Sequence, residues 1–322
     1  MTRVHVYGAA GYAAAEAIAL LAAHPQVELG ALESVSHAGE LLGTHFPRLR
    51  NCGRKFDAPG AVSLSAEVGD LAILGGSEGV ARAVAPQLLE RGVRVIDLSG
   101  DFRLAPSPAV YGFAERYRPA IATAALVANP GCYPTATLLA TLPLAPLHPA
   151  TIVVDAKSGV SGAGRTPVLA SHFVEVSGEV RAYGLHGHRH EPEILQEWRA
   201  AGIGASLVFT PHVVPIARGM LVNAYSIFET APAAAAVRAA FEQAYRGNPF
   251  VRILADTGVP SLRAVVGTND AELHVSVCGN VVRSICAIDN LGRGAATQAV
   301  ANLNIMYGYP EETGLELNAL AG

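Results

Sequence analysis

The stretch VHVYGAAGYAAAE, Val4 to Glu16, joins a short, mostly apolar run to a glycine-containing turn and an alanine-rich segment. The run from Val4 to Gly8 has the length of a buried strand. The alanine-rich segment after it predicts a helix that ends near Pro25. A strand followed at once by a tight turn and a helix is typical of the first unit of a parallel α/β sheet. This stretch therefore decides the fold class of the N-terminal part of the chain.

The turn itself carries the pattern G-x-x-G-x-x-A. Glycine at Gly8 allows a sharp turn, Gly11 lets a phosphate approach the backbone, and small Ala14 lets helix and strand pack closely. The helix then begins at Tyr12 and Ala13, whose backbone N–H groups can face a pyrophosphate. The pattern predicts a dinucleotide site of the Rossmann type at Gly8, Gly11, Tyr12 and Ala13. An ordinary strand-to-helix turn is the alternative.

Further apolar strands separated by helical segments continue to residue 131. They read VELGAL, LAILGG, VRVIDLSG and ALVANP. Continuous apolar strands that alternate with helices predict a doubly wound parallel sheet, covered on both faces. We assign residues 1–131 to a dinucleotide-binding domain, together with a C-terminal helical segment, residues 291–322.

The pattern changes in residues 132–290, where longer strands follow one another with separate helices. TIVVDAKSG, SLVFTPHVVPI and MLVNAYSIF are strands, APAAAAVRAAFEQAYRG is an amphipathic helix, and ELHVSVCGNVVRSICAID is a hairpin with a Gly279-Asn280 turn. Successive long strands with separate helices predict a second domain, of the α+β class. The turn places Cys278 opposite Val281, so we expect no disulfide between Cys278 and Cys286.

Composition limits the function classes. The chain has 322 residues, is 51% hydrophobic and 16% charged, and carries a net charge of −4, so nothing indicates a nucleic-acid partner. No apolar stretch is long enough to cross a bilayer, and no secretory leader is recognisable. The four cysteines form no C-x-x-C pair, which argues against a zinc site and for a cytoplasmic protein with reduced thiols.

The segment LESVSHAG, Leu32 to Gly39, follows the second predicted strand and bears on cofactor choice. Glu33 lies where an acid can hold a ribose 2′-hydroxyl, which favours NAD(H). Ser34, Ser36 and His37 can instead cradle a 2′-phosphate, which favours NADP(H). The residues alone leave both cofactors open.

Cys132 is the strongest candidate for chemistry. It lies in LVANPGCYPTATLL, where Asn129-Pro130-Gly131 ends a strand and a helix begins. A helix N-terminus stabilises a thiolate, and the carboxyl end of a parallel strand is where such sheets bind ligands. A small buried core residue and a redox sensor are the alternatives. The pattern favours a nucleophile.

A nucleophilic thiolate needs a proton-transfer partner and groups that hold its substrate. YGLHGHRHEPEI offers His188 and His190 as general acid or base. Alternating histidines can also bind a metal, but no acid or cysteine at a suitable spacing completes such a site, so we predict none. DAKSGVSGAGRTP combines hydroxyls, glycines and Arg165, a set that suits an oxyanion or phosphate, although a flexible hairpin is the alternative. Arg103 and Arg218 can each bind a carboxylate or make a structural ion pair.

Taken together, these motifs resemble the N-acetyl-γ-glutamyl-phosphate reductase family, within the aspartate-semialdehyde dehydrogenase-like group. The resemblance covers nearly the whole chain. It rests on GAAGYAAAE, DLSGDFRL, ANPGCYPTA, DAKSGVSGAGR, HRHEPEI, FTPHVVPIARGM, AIDNLGRGAATQAVANLNIMYG and ETGL. It implies a second domain like that of glyceraldehyde-phosphate dehydrogenase, carrying the hydride chemistry.

The resemblance also implies a reaction and its partners. The Cys132 thiolate would attack a small-molecule acyl phosphate and release phosphate. NADPH would then reduce the thioester to a semialdehyde, in arginine biosynthesis. A homodimer or homotetramer is implied as well.

The resemblance assigns roles to individual residues. One of His188 and His190 would handle protons while the other contacts substrate. The residues implied to bind substrate are Ser158, Arg165 and Tyr183. Arg103 and Arg218 join the substrate-binding prediction on their chemistry, as candidates for a substrate carboxylate. The residues implied to bind cofactor in the second half of the chain are Gly162 and Asn290, the latter near the nicotinamide amide.

Three departures from the family pattern bear on function. Val35 stands where members commonly have arginine, which weakens the expectation of NADP preference. The turn Gly75 to Gly79 differs, and the chain is roughly 15 to 20 residues shorter between Arg103 and Tyr111, typical of a changed surface loop.

Two rival functions are a reductase of carrier-protein-linked aminoadipyl phosphate in lysine biosynthesis and a catalytically silent NAD(P)-binding regulator. Aspartate-semialdehyde dehydrogenase fits GCYPTA and HRHEPEI less well.

Overall fold

The computed structural model describes residues 1–316, which form two compact units. The first contains Met1–Pro130 and Ala295–Glu316, and the second contains Gly131–Gly294. The final part of the C-terminal segment assigned from sequence, residues 317–322, lies outside the described residues.

The first unit is built on a parallel sheet. Its strands are β1 (Thr2–Tyr7), β2 (Val27–Glu33), β3 (Leu71–Leu74), β4 (Arg94–Asp97), β5 (Val110–Tyr111) and β6 (Leu126–Ala128). Within the described residues their order is β2-β1-β3-β4-β6-β5, with every pairing parallel. The predicted doubly wound sheet is confirmed. The two-residue edge strand β5 was not predicted, because so short a strand has no periodicity.

Helices connect these strands. They are α1 (Tyr12–Ala23), α2 (Leu42–His45), α3 (Ala61–Ser65), α4 (Val80–Glu90) and α5 (Ala114–Thr123). Strands β3 and β4 have interior residues such as Ile73 and Ile96 at 0% exposure, as expected for strands covered on both faces. The segment 101–109 forms turns that lead directly into β5. That the chain is short here relative to the family pattern stays a prediction.

The second unit is built on a mixed sheet, formed by β7 (Thr151–Gly159), β8 (Arg181–Ala182), β9 (Ser206–Val214), β10 (Met220–Ile227), β11 (Val251–Ile253), β12 (Ala271–Cys278) and β13 (Val281–Ile288). Within the described residues the order is β11-β12-β13-β10-β7-β9-β8. The predicted hairpin is confirmed as β12 and β13, with Cys278 opposite Val281. None of the four cysteines, all among the described residues, is in a disulfide.

The helices of the second unit are α6 (Cys132–Thr141), α7 (Phe173–Val176), α8 (Glu191–Ala200), α9 (Ala234–Ala244) and α10 (Leu262–Val265). Helix α6 is buried from Tyr133 to Thr141 and packs against β10 and β13. Residues such as Ile152, Val222 and Ala224 are 0% exposed, whereas their neighbours along the strands are half-buried. The alternation shows that one face of the sheet is covered more fully than the other.

The last predicted helix begins with a π-helical turn, Gly292–Ala296, and continues as α11 (Thr297–Tyr307). Helix α11 belongs to the first unit, where it packs against α1 and α5. Its residues are buried from Thr297 to Met306, including asparagines that hydrogen-bond to backbone carbonyls, such as Asn302 to Gly112. Over residues 1–316 we find no helix with the length and apolarity needed to cross a membrane.

Candidate active site

The turn after β1 has the backbone that the glycine pattern predicts. Gly8 has φ +68°, and a Cβ there would lie 2.4 Å from the carbonyl oxygen of Gly75. Gly11 is the N-cap of α1, and its N–H donates to the carbonyl of Gly8 at 3.0 Å. The first turn of α1 contains Tyr12, which is 38% exposed, and half-buried Ala13. The N–H groups of a first helical turn have no partner within their helix, so this turn fits a pyrophosphate.

Glu33, at the end of β2, has a structural role. Its carboxylate accepts backbone N–H groups from Gly60 at 2.9 Å and Val62 at 3.0 Å, and the residue is 2% exposed. Both oxygens therefore cap the start of α3. The hypothesis that Glu33 holds a ribose hydroxyl loses its support, because a buried carboxylate used in this way does not face a ligand.

The serines of the same segment differ in exposure. Ser34 is 2% exposed, and its hydroxyl accepts the N–H of His37 at 3.3 Å. Ser36 is exposed and His37 is half-buried, while Val35 is 73% exposed. Ser36 and His37 are therefore the members of the predicted 2′-phosphate group that a ligand can reach from solvent.

Cys132 is the first residue of α6, directly after the N-cap Gly131. The extended backbone of Gly131, with φ −70° and ψ 157°, turns the chain into the helix, as the Asn-Pro-Gly sequence predicts. Gly294 packs against the cysteine so closely that a Cβ at Gly294 would lie 2.6 Å from the Cβ of Cys132. The thiol is half-buried. This position provides the helix-dipole stabilisation that a thiolate needs.

Helix α8 lies beside α6 with its start against the start of α6. The N–H of Gly131 donates to Oε1 of Glu193 at 2.9 Å, in the first turn of α8. At the other end of the pair, the indole N–H of Trp198 donates to Oγ1 of Thr141 at 2.9 Å. These two bonds align the helices in parallel, so both N-termini lie at the same end as Cys132.

His188 and His190 lie directly before α8, and His190 is its N-cap. Their ring centroids are 4.9 Å apart, and both rings lie against Tyr133, at 5.6 Å and 6.0 Å. His190 is 4% exposed, whereas His186 is exposed and is not part of this group. The structure thus brings the predicted histidine pair next to the residue that follows the cysteine.

The protonation state of His188 follows from its surroundings. Burial, aided by the positive charge of Arg189, lowers the pKa of His188 to about 4, so the ring is neutral near pH 7. Its Nδ1 accepts the backbone N–H of His190 at 3.1 Å. A neutral imidazole that accepts at Nδ1 carries its proton on Nε2. His188 therefore presents an N–H donor.

Two tyrosines extend the group toward the sheet. The hydroxyl of Tyr183 donates to the hydroxyl of Tyr133 at 3.2 Å, which donates to the carbonyl of His212 at 3.0 Å. Burial raises the pKa of both phenols, so both are neutral donors. Burial outweighs the Ser158 hydroxyl, which acts to lower the pKa of Tyr133. Tyr183 and Ser158 thus both interact with Tyr133, the residue that follows Cys132, and their contact with substrate stays a prediction.

The glycine-rich loop after β7 meets Asn290. Nδ2 of Asn290 donates to Oγ of Ser161 at 2.9 Å, and Oδ1 of Asn290 accepts the N–H of Gly219 at 2.7 Å. A Cβ at Gly162 would lie 3.0 Å from Oγ of Ser158. Arg165 is half-buried on the same loop. The loop thus brings two hydroxyls and the Asn290 carboxamide together.

Arg218 makes the ion pair that the sequence left as an alternative. Its Nη2 and Nε donate to the two carboxylate oxygens of Asp289 at 2.6 Å and 3.3 Å. Asp289 is 0% exposed and also accepts the N–H groups of Gly267 and Leu291. The bidentate pair stabilises the turn that carries Asn290. Nε and Nη2 of Arg218 therefore bond to Asp289 and not to a ligand.

Arg103 binds backbone in the first unit. Its Nε donates to the carbonyl of Asn129 at 2.8 Å, and its Nη2 donates to the carbonyl of Leu98 at 2.9 Å. These bonds tie the ends of β4 and β6 together. Contact of Arg103 with substrate stays a prediction.

Several supporting residues have no assigned role in the sequence analysis. Glu193 and Arg189 lie within HRHEPEI, Tyr133 follows Cys132, and Asp289 precedes Asn290. Their closeness in sequence to the predicted site residues was the available signal. The specific partners, which are up to 79 positions away, could not be read from spacing.

Family models match both parts of the chain. Residues 3–124 match a model described as the NAD binding domain of semialdehyde dehydrogenase, and residues 132–290 match one described as its dimerisation domain. Among solved structures, the aspartate semialdehyde dehydrogenase II of Vibrio cholerae complexed with ASA has a TM-score of 0.76 at 17% identity, covering 96% of this chain and 98% of that one. A similarity at this identity shows the fold alone.

Curated relatives are closer in sequence. A protein named N-acetyl-gamma-glutamyl-phosphate reductase from Brevibacillus brevis is 42% identical over 98% of this chain and 99% of its own. One of the same name from Moorella thermoacetica is 41% identical over 99% of both chains. The chain therefore belongs to the N-acetyl-gamma-glutamyl-phosphate reductase family, within the semialdehyde dehydrogenases.

Proposed function

We propose that the protein reduces N-acetyl-L-glutamyl 5-phosphate to N-acetyl-L-glutamate 5-semialdehyde and phosphate, in arginine biosynthesis, with NADPH as hydride donor. The observation that carries the proposal is the placement of Cys132 at the N-terminus of α6, beside the aligned N-terminus of α8. The names of the curated relatives support the same reaction. They do not favour the lysine-pathway substrate or a silent regulator.

Cys132 is the nucleophile in this proposal. Its thiolate attacks the acyl carbon, the acyl–phosphate bond breaks, and phosphate leaves, so that a thioester remains on Cys132. When bound, NADPH would supply the hydride that reduces the thioester carbon. The resulting hemithioacetal loses the sulfur to give the semialdehyde and regenerates the thiolate. A thioester accepts hydride more readily than a carboxylate. Formation of the covalent intermediate therefore makes the reduction easier.

The two histidines have different proposed roles, one in binding the substrate oxygen and one in proton transfer. We assign His188 to the substrate oxygen, because its Nε2–H is a neutral donor and its Nδ1 already accepts the N–H of His190. An N–H donor of this kind stabilises negative charge that develops on the carbonyl oxygen. Proton transfer to and from the hemithioacetal oxygen then falls to His190, whose buried ring lies 4.9 Å from that of His188.

Substrate anions are held by basic and hydroxyl groups of the second unit. Arg165 and Ser158 stay the proposed contacts on the glycine-rich loop. We add Arg189, which is exposed and whose charge acts on both His188 and Tyr183. Arg218 supports the turn at Asn290 through Asp289, so its effect on substrate is indirect.

The cofactor proposal is NADP(H). Gly8, Gly11, Tyr12 and Ala13 would hold the pyrophosphate, and Ser36 would face the 2′-phosphate. Capping of α3 by Glu33 supports this choice, because it removes the acid that would favour NAD(H). Asn290 is proposed to bind the nicotinamide amide. Its carboxamide is 2% exposed and already bonds Ser161 and Gly219, so it would use the second hydrogen on Nδ2 or the second lone pair on Oδ1. Gly162, where a Cβ would lie 3.6 Å from Nδ2 of Asn290, is the proposed cofactor contact beside it.

We further propose that the protein is a homodimer formed through the second unit. The family model for residues 132–290 is described as a dimerisation domain. Buried and half-buried residues alternate along β7 and β10, so the half-buried ones share one face of the sheet. These include Val153, Leu221 and Tyr225, which a second copy can cover. Light scattering after gel filtration tests this state. A monomer at micromolar concentration would contradict it.

The reaction is tested in the reverse direction. N-acetyl-glutamate semialdehyde and phosphate are mixed with NADP or NAD, and the absorbance of reduced cofactor is followed. We expect phosphate-dependent reduction of NADP that is absent in Cys132→Ser. Turnover with NAD alone would overturn the cofactor proposal, and no turnover with either cofactor would overturn the substrate.

A further inference from the structure

A cluster of two histidines and one glutamate lies in the first unit, apart from the cysteine and its histidine pair. One ligand atom from each of His37, Glu40 and His45 lies within 4.8 Å of the other two. Oε2 of Glu40 is 2.6 Å from Nε2 of His45, and Oε1 of Glu40 is 3.4 Å from Nδ1 of His37. The carboxylate thus stands between two imidazoles.

We propose that His37, Glu40 and His45 form a binding site for a divalent transition-metal ion of the zinc class. Two imidazoles and a carboxylate suit Zn²⁺, Co²⁺, Ni²⁺ or Cu²⁺, whereas Mg²⁺ and Ca²⁺ prefer oxygen ligands only. The expectation of no metal site rests on the lack of a C-x-x-C pair and of an acid or cysteine at a suitable spacing from the histidines at 186–190. A cluster formed across a loop and a helix has no such spacing in the sequence.

The three ligand atoms, which lie within 4.8 Å of one another, must adjust to the spacing that an ion imposes. Zinc binds histidine nitrogen at about 2.0–2.1 Å and carboxylate oxygen at about 2.0–2.2 Å, so tetrahedral ligand atoms lie about 3.3 Å apart. The contact between His37 and Glu40 already has this spacing, at 3.4 Å. The contact between His45 and Glu40 must open, which Glu40 allows because its side chain is 49% exposed.

The backbone holds the ligands in place. Gly39 and Glu40 pair with Phe56, since the Gly39 N–H donates to the carbonyl of Phe56 at 2.8 Å and the Phe56 N–H donates to that of Glu40 at 2.9 Å. The Glu40 N–H donates to the carbonyl of His37 at 3.0 Å. The ring of Phe56, which is 2% exposed, lies 5.9 Å from His37 and 5.7 Å from His45. The ligands therefore need little ordering on binding.

A bound ion would link two segments of the first unit. His37 and Glu40 belong to the loop after β2, and His45 ends α2. Three protein ligands leave at least one coordination position for water. The ion would fasten the loop that also carries Ser36, and binding to the folded chain alone would stabilise it.

The test is titration of the full chain, freed of metal, with Co²⁺ and Zn²⁺ as probes. Visible absorption follows Co²⁺ and calorimetry follows Zn²⁺, in wild type and in His37→Ala, Glu40→Gln and His45→Ala. His172→Ala is the control, because His172 is an exposed histidine in the second unit. Cys132→Ser identifies any ion bound by the thiol. Circular dichroism checks that each variant is folded.

We expect one ion per chain at a site that persists in Cys132→Ser and His172→Ala. Each of the three ligand variants should bind the ion at least roughly tenfold more weakly than wild type. Loss of a residue that only hydrogen-bonds to a metal ligand already costs about that much, and these residues are the ligands themselves. Zn²⁺ should raise the melting temperature of wild type but not of Glu40→Gln. No stoichiometric binding, or binding that is unchanged in all three ligand variants, would overturn the site and leave the cluster as a hydrogen-bonded group.

Discussion

The N–H of Gly131 donates to Oε1 of Glu193 at 2.9 Å, which joins the residue before the proposed nucleophile to the first turn of α8. The two residues are 62 positions apart. The bond fixes the start of α6 relative to the start of α8, and thereby Cys132 relative to His190. Glu193 is 2% exposed, so its bond is shielded from water.

Removing this bond should affect both stability and rate. Glu193→Ala leaves the buried N–H of Gly131 without its acceptor, which costs about 1–3 kcal/mol. Urea unfolding should show that loss, and kcat should fall more than KM rises, because the cysteine is displaced. Glu193→Gln keeps an acceptor and should recover most of the rate. Equal kcat in wild type and Glu193→Ala would contradict this positioning role.

The lowered pKa of His188 predicts a pH dependence of stability. Its folded pKa is about 4, below the ordinary 6.5. Between these values the unfolded chain binds a proton that the folded chain does not, so the free energy of unfolding falls as pH drops from 6.5 toward 4. Above pH 6.5 the contribution is fully present.

His188→Gln provides the comparison for that effect. Urea unfolding of both proteins at several pH values should give a difference that changes only in this window. Subtracting the two free energies of unfolding cancels the contributions of other groups, such as Asp97, whose pKa is raised by burial. A difference that is constant from pH 7 to pH 4.5 would show that His188 is not a buried neutral base.

The pair of Arg218 and Asp289 predicts a structural phenotype. Arg218→Ala leaves the carboxylate of Asp289, which is 0% exposed, without its partner. Loss of one member of a buried pair costs about 3–5 kcal/mol. Thermal unfolding should show this, with a rise in KM for cofactor if the turn at Asn290 moves. Unchanged stability with a raised KM for the acyl substrate alone would instead favour direct substrate binding.

Glu33 and Ser36 should have separable effects. Glu33→Gln weakens the cap of α3 and should cost about 0.5–2 kcal/mol, with the ratio of activity for NADP over NAD unchanged. Ser36→Asp places a like charge where the 2′-phosphate is proposed, so KM for NADP should rise while KM for NAD does not. Steady-state kinetics with both cofactors measures this. A selective loss of NAD activity in Glu33→Gln would restore its role at the ribose.

Features with a local signal in the sequence could be predicted. The strand, turn and helix at Val4 to Glu16, and the hairpin at Gly279-Asn280, follow from periodicity and glycine placement. Cys132 at the start of α6 follows from Asn-Pro-Gly before a helix. Each depends on neighbours within a few residues.

Features that depend on distant partners could not be predicted. Glu33 resembles a ribose-binding acid until α3 is placed against it, 27 positions away. Arg218 has equal reason to bind substrate or an acid until Asp289 is found 71 positions later. The cluster at His37, Glu40 and His45 depends on how a loop and a four-residue helix fold back together.

A single-turnover experiment without phosphate tests the thioester on Cys132 most directly. Enzyme is mixed with N-acetyl-glutamate semialdehyde and NADP, and reduced cofactor is followed while the protein is digested for mass spectrometry. We expect one NADPH per chain in a burst, an N-acetylglutamyl group on the Cys132 peptide, and further turnover only after phosphate is added. Cys132→Ser should give no burst. A burst that survives in Cys132→Ser, or steady turnover without phosphate, would contradict a thioester on Cys132.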